Sequence, residues 1–122
     1  MMEIRVEMDN NVIILKPIGR LDASSVASLQ SQVTKLIEKN YLYFLFDMSR
    51  VDFIDSMGLG ACIGIYKKLG AIGGALVCAI TNEALRTIFH LTRTDEKISM
   101  AASRFEALKT LQDKAFQSGG RI

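Results

Sequence analysis

The chain opens on a strict alternation in which Ile4, Val6 and Met8 are apolar while Glu3, Arg5 and Glu7 are charged. A period of two belongs to a strand with one face on a core and one face in water. Asp9-Asn10-Asn11 supplies turn residues and Val12 to Ile18 resumes the apolar run, so the pattern predicts a hairpin. After Gly19, Asp22-Ala23-Ser24-Ser25 offers helix caps, and Val26, Leu29, Val33, Leu36 and Ile37 then recur at helical spacing up to Asn40. Tyr41 to Met48 is almost continuously apolar, as a strand covered on both faces must be. Ser49 to Ser56 is polar with two large apolar residues, Phe53 and Ile54. Met57 to Leu69 reads as a helix despite Gly58, Gly60 and Gly64, each of which weakens it by about 1 kcal/mol relative to Ala.

Gly70 to Gly74 breaks the pattern, Ala75 to Ile80 is a second buried strand, and Asn82 can cap a helix with Leu85, Ile88 and Phe89 on one face. Ile98 and Met100 suggest a short last strand. Ser103 and Glu106 have capping-box spacing ahead of a closing helix with Phe105, Leu108 and Leu111 inward. A hairpin followed by strands alternating with helices predicts one α/β domain over 1–116 with a flexible tail at 117–122. The expected architecture is a mixed, mostly parallel sheet of about four or five strands, opened by an antiparallel hairpin and packed with about four helices. In such sheets function gathers where strands end and helices begin.

Composition narrows the function classes. At 122 residues, with 49% hydrophobic and 23% charged, the chain is sized for one self-sufficient core. Fifteen Lys and Arg against thirteen Asp and Glu give a scattered net charge of +2, without the basic stripe that nucleic acid requires. The uncharged stretch between Lys68 and Glu83 is shorter than the roughly 20 residues of a membrane span, and no signal peptide's apolar stretch is present, so the cytoplasm is the expected compartment and no membrane partner is implied. Cys62 and Cys78 lie in apolar runs without metal-ligand spacing, and one histidine, His90, cannot build a site of several His ligands, so no metal is expected.

The segment Val51-Asp52-Phe53-Ile54-Asp55-Ser56-Met57-Gly58-Leu59-Gly60 carries the most chemical information. It places Ser56 between an acidic residue and a glycine-bearing helix start, where unpaired N–H groups and the macrodipole favour a phosphate. The plain alternative is that Asp55 or Ser56 only caps the helix. The glycines miss the dinucleotide-binding spacing by one residue, and no Gly-Lys-Ser/Thr end exists for a P-loop. A nucleophile elbow would need glycine where Ile54 stands, and a Ser56–His90–Asp triad is opposed by His90 following Ile88-Phe89 at a helix end. Gly19-Arg20-Leu21-Asp22 forms a second polar corner, where Asp22 is either a neighbour of Ser56 or a helix cap. On the helix after Ser56, helical spacing assigns Leu59, Cys62, Ile63, Tyr66 and Leu69 to the core. Gly60, Ala61, Gly64 and Lys68, with Met57 and Ile65 beside them, then form a low face that a partner helix or a neighbouring crossover of the same domain could fill.

These residues together resemble the STAS-domain anti-sigma factor antagonists of bacteria. The resemblance rests on Gly19-x-Leu21-Asp22, on Asp47-Met48-Ser49-x-Val51-x-Phe53-Ile54-Asp55-Ser56-x-Gly58-Leu59-Gly60, and on Gly73-Gly74 before a strand, and it spans nearly the whole chain. It implies a non-enzymatic phosphoprotein of transcription signalling. Ser56 would be phosphorylated by an anti-sigma factor that is also an ATP-dependent serine kinase, and a serine phosphatase would reverse this. ATP would be bound by that partner, and this chain would need no cofactor. Unphosphorylated, it would capture the anti-sigma factor and release the sigma factor. Asp22 matches the family's acidic residue near the acceptor, and Met57 departs from the small residue often found after it. The expected partner surface comprises Asp22, Ser24, Phe53, Ile54, Asp55, Met57, Gly60, Ala61, Gly64 and Ile65. Two alternatives stand beside this reading: a non-switching STAS scaffold of a stress-signalling or transport complex, and a small nucleotide-binding or hydrolytic enzyme.

Overall fold

The computed structural model describes residues 2–119, with side chains through 117. Glu3–Asp9 (β1) and Val12–Leu21 (β2) form the hairpin, paired antiparallel from Glu3 opposite Ile18 to Asp9 opposite Val12, and Asn10 takes the left-handed conformation its turn requires. The chain continues through Val26–Glu38 (α1), Tyr43–Asp47 (β3), Val51–Ile54 (β4), Ser56–Ala71 (α2), Ala75–Ala79 (β5), Glu83–Leu91 (α3), Ser99–Ala101 (β6) and Arg104–Gly119 (α4). The sheet has six strands in the order β1-β2-β3-β5-β6, and β4 pairs with β2. Every pairing except the hairpin is parallel.

The sixth strand, β4, is the element that the residue pattern did not predict. Four residues with only Val51 and Ile54 buried carry no alternation. What makes them a strand is the backbone of β2, whose first half pairs with β3 and whose last residues, Gly19 to Leu21, pair with β4. The register shifts between Gly19 and Arg20, and Gly19 has φ +111°, a bulge that glycine tolerates best.

Alternation along the central strands feeds two cores. Ile13, Leu15, Phe44, Phe46, Leu76 and Cys78 face one side, where Leu29 and Val33 of α1, Cys62, Ile65 and Leu69 of α2, and Leu85 and Phe89 of α3 cover them. Val12, Ile14, Leu45 and Val77 face the other, covered by Ala107 and Leu111 of α4. Asn82 caps α3 by accepting from the Leu85 N–H at 3.1 Å, as its position predicted. Two expectations give way. Phe105 is 76% exposed, because α4 meets the sheet along Ala107 and Leu111, and Phe105, two residues before Ala107, lies on the opposite side of the helix. The alternation of β1 does not bury a whole face either: as an edge strand it packs only Ile4 against the core, leaving Val6 and Met8 exposed. Arg104 ties that edge to the sheet through Glu7 at 2.8 Å and Asp47 at 3.6 Å. The tail expected at 117–122 overlaps α4 up to Gly119, and 120–122 lie outside the described residues.

Candidate functional site

The parallel neighbours β2 and β4 end together, with Arg20 opposite Phe53 and Leu21 opposite Ile54. One chain segment leaves through Asp22 to Ser25 and the other through Asp55 into α2, which brings the two polar corners of the sequence side by side. The Asp55 N–H donates to the Leu21 carbonyl at 3.4 Å. A Cβ at Gly58 would lie 2.2 Å from that same carbonyl oxygen and 2.7 Å from Ile54 Cγ1, so only glycine lets the first turn of α2 sit this low on the sheet edge.

Asp55 is the N-cap of α2, its Oδ1 accepting from the Gly58 N–H at 3.0 Å. Ser56 is therefore the first helical residue, and it is exposed. Its own N–H and that of Met57 precede the first intrahelical bond, which Leu59 makes to the Asp55 carbonyl at 3.0 Å, so the positive end of the helix points at the Ser56 side chain's surroundings.

Asp22 does not cap α1. Ser25 holds the N-cap position, and its buried hydroxyl turns back to donate to the Arg20 carbonyl at 2.7 Å. Asp22 instead organises the exit from β2: Oδ1 accepts from the Ser24 hydroxyl at 2.6 Å and the Ser24 N–H at 3.0 Å, and Oδ2 accepts from Arg20 Nε at 3.2 Å. The Ser24 hydroxyl bond, followed by the Ser24 N–H and Arg20, holds the Asp22 carboxyl below its ordinary value against an opposing effect of desolvation. The corner thus presents a carboxylate. Arg20, which the residue pattern did not single out, also lays its guanidinium 3.9 Å from the centre of the Phe53 ring. Its signal in the sequence was only its place in the Gly19-Arg20-Leu21-Asp22 corner, two residues before Asp22.

Of the expected partner surface, Asp22, Ser24, Phe53, Asp55 and Met57 lie on this edge with the expected acceptor Ser56; Phe53 is 38% and Met57 53% exposed. Gly60 and Gly64 are exposed, and a Cβ on either would meet open space. Ile54, Ala61 and Ile65 are corrections: all three are buried in the core. Of the core face expected on α2, Leu59, Cys62 and Leu69 are buried and Ile63 and Tyr66 pack partly buried against the core; the buried stripe is wider than expected and also takes in Gly58, Ala61 and Ile65, because the helix lies close on the sheet edge at Gly58.

The hydrolytic constellation does not assemble. His90 Nδ1 lies 2.9 Å from Asp95 Oδ2, on an open cavity of about 650 Å³ lined also by Thr81, Glu83, Arg86 and Thr87, and Ser56 is not part of that lining. Cys62 and Cys78 are free and fully buried, and the Cys62 thiol together with burial pushes the Cys78 thiol well above its ordinary value. Among the described residues, no three or more His, Cys, Asp or Glu side chains are grouped to hold a metal ion, and no helix is long and apolar enough to cross a membrane.

A family model described as STAS domain matches residues 3–107. The anti-sigma-B factor antagonist of Bacillus subtilis is 26% identical over 99 aligned residues, spanning 81% of this chain and 90% of that protein. Among solved structures, an anti-sigma factor antagonist from Mycobacterium paratuberculosis superposes with a TM-score of 0.83 at 22% identity, covering 92% of this chain and 95% of that one. The Bacillus cell fate determinant SpoIIAA in its phosphorylated form gives a TM-score of 0.67 at 20% identity, covering 88% and 98%.

Proposed function

The chain belongs to the STAS domain family, and on that footing we propose that it is an anti-sigma factor antagonist, a cytoplasmic protein-interaction module switched by phosphorylation of Ser56. The observation that carries the reading is the placement of an exposed Ser56 at the first position of α2, with the carboxylate of Asp22 on the adjoining corner and the apolar Phe53 and Met57 exposed on either side in sequence. The curated relative named as an anti-sigma-B factor antagonist and the phosphorylated SpoIIAA of the same fold support it.

In this reading the unphosphorylated edge binds an anti-sigma factor that is also a serine kinase, and the sigma factor is released. The kinase holds ATP; the Ser56 hydroxyl attacks the γ-phosphorus, ADP leaves, and the hydroxyl proton passes to a base of the kinase. A serine phosphatase returns Ser56 to its hydroxyl. The modification adds about −1.5 to −2 charges where the helix terminus compensates them, so the domain stays folded and the cost falls on the partner contact. Every 1.4 kcal/mol of that cost is a factor of about ten in affinity.

The test is incubation with the candidate kinase and ATP, read by intact-mass and peptide mass spectrometry. One phosphate on Ser56, lost in Ser56→Ala with partner binding retained, and binding at least about tenfold weaker in Ser56→Asp, is the expected result. Phosphate mainly on Ser49 or Ser24 overturns the assignment, and constitutive assembly without phosphate turnover at Ser56 returns the protein to the scaffold reading.

A further inference from the structure

A phosphate on Ser56 enters an acidic neighbourhood. Asp55 precedes it, Asp22 stands on the adjoining corner, and Asp52 is exposed on β4. Like charges oppose the dianion, and the α2 terminus offers only partial positive charge in return. Arg20 brings a full positive charge to the end of β2, and Arg50 a second beside Asp52 on the cavity both line with Gly19. Arg20 belongs to the tripeptide Arg20-Leu21-Asp22, whose central carbonyl touches α2 at both Asp55 and Gly58, the two residues that bracket Ser56 and Met57. Among the described residues the guanidinium is bonded to protein only through Nε, to Asp22 Oδ2, and the side chain is 61% exposed, so its two terminal amino groups have no protein partner. Those groups form the flat fork that grips a phosphate through two parallel bonds.

We propose that Arg20 is a phosphate clasp for Ser56, an inference that rests on the phosphorylation reading above. In the unmodified protein Arg20 is parked between the Phe53 ring and Asp22. When Ser56 carries phosphate, the guanidinium exchanges a singly charged, partly exposed carboxylate for a doubly charged phosphate and turns its terminal amino groups onto it. Two further surface changes follow from the exchange: the Phe53 ring loses its cation, and Asp22 loses its internal counter-ion. Phosphorylation then rewrites three contacts on the partner edge, and Arg20 acts as a positioning residue of the switch.

The experiment installs phosphoserine at position 56 during translation, so that no kinase is needed, and follows the phosphate by phosphorus NMR across pH in the wild type, Arg20→Gln and Arg20→Lys. The clasp predicts that the second ionisation of the phosphate in the wild type lies at least about half a unit below that in Arg20→Gln, with Arg20→Lys between them and the gap shrinking in about 1 M salt. A smaller gap at low salt overturns the proposal. Circular dichroism melting of the unphosphorylated variants, expected near wild type because Arg20 is exposed, shows that the comparison is made between folded proteins. The two readings fail separately: equal ionisation in wild type and Arg20→Gln removes the clasp whatever the kinase does, whereas phosphate appearing elsewhere in the kinase assay removes Ser56 as acceptor whatever its ionisation.

Discussion

The carbonyl oxygen of Leu21 occupies the space in which a side chain on residue 58 would begin, 2.2 Å from an ideal Cβ. This one contact couples the end of β2 to the first turn of α2, the turn that carries Ser56. Gly58 thus explains the glycine of the Asp-Ser-x-Gly element by packing, independently of any partner.

Replacing Gly58 separates this packing from helix propensity. Alanine would gain about 1 kcal/mol of propensity in an unhindered helix. At Gly58 the clash with backbone should reverse the sign, for a net loss of about 1–3 kcal/mol. Gly60→Ala and Gly64→Ala, where the added methyl meets open space, should each gain about 0.5–1 kcal/mol. Urea denaturation of the three variants checks this, and a stabilised Gly58→Ala would mean that α2 can lift off the sheet edge at little cost.

The two faces of α2 predict opposite phenotypes at neighbouring positions. Ile65 is 5% exposed, so Ile65→Ala should cost about 2–5 kcal/mol of stability. Met57 is 53% exposed, so Met57→Glu should melt near wild type and, if the partner covers this edge, weaken binding by about tenfold or more through an unpaired charge in a desolvated contact. Melting curves and titration against the proposed anti-sigma partner distinguish the two.

Asp22 supplies the pH dependence. Its carboxyl is held below 3.8, first by the Ser24 hydroxyl. Below the unfolded value the native state therefore binds fewer protons than the unfolded chain, so the stabilisation is complete above that value and is lost as pH falls through the native one. Carbon-detected NMR titration should place the Asp22 midpoint under 3.8, and Ser24→Ala should raise it. A midpoint at or above 3.8 in the wild type would show that the Ser24 and Arg20 contacts do not persist in solution.

Both cysteines should resist modification in the native state. Cys62 and Cys78 are both fully buried, so neither sulfur is open to reagent, and the Cys78 thiol is pushed upward besides. Iodoacetamide labelling at pH 8 should be slow until denaturant unfolds the chain and should then reach both thiols. Rapid native labelling of Cys62 would mean that α2 opens locally.

The sequence by itself determined the hairpin, the buried strands within Tyr41–Met48 and Ala75–Ile80, the Asn82 cap and the helix read over Met57 to Leu69. Each of these is specified by local periodicity and by side chains that bond their own backbone within a few residues. It also located Ser56 and Asp22, because a serine after an acidic cap and an acidic residue after a glycine-marked strand end are visible at short range. Only the tertiary structure decided β4, which becomes a strand by pairing with β2; the burial of Ala61 and Ile65 on α2; the exposure of Phe105; and the seating of Arg20 on Phe53. These depend on residues brought together from distant parts of the chain. A period of 3.6 fixes that a face exists, while what packs against it, here the Leu21 carbonyl under Gly58, fixes which face that is.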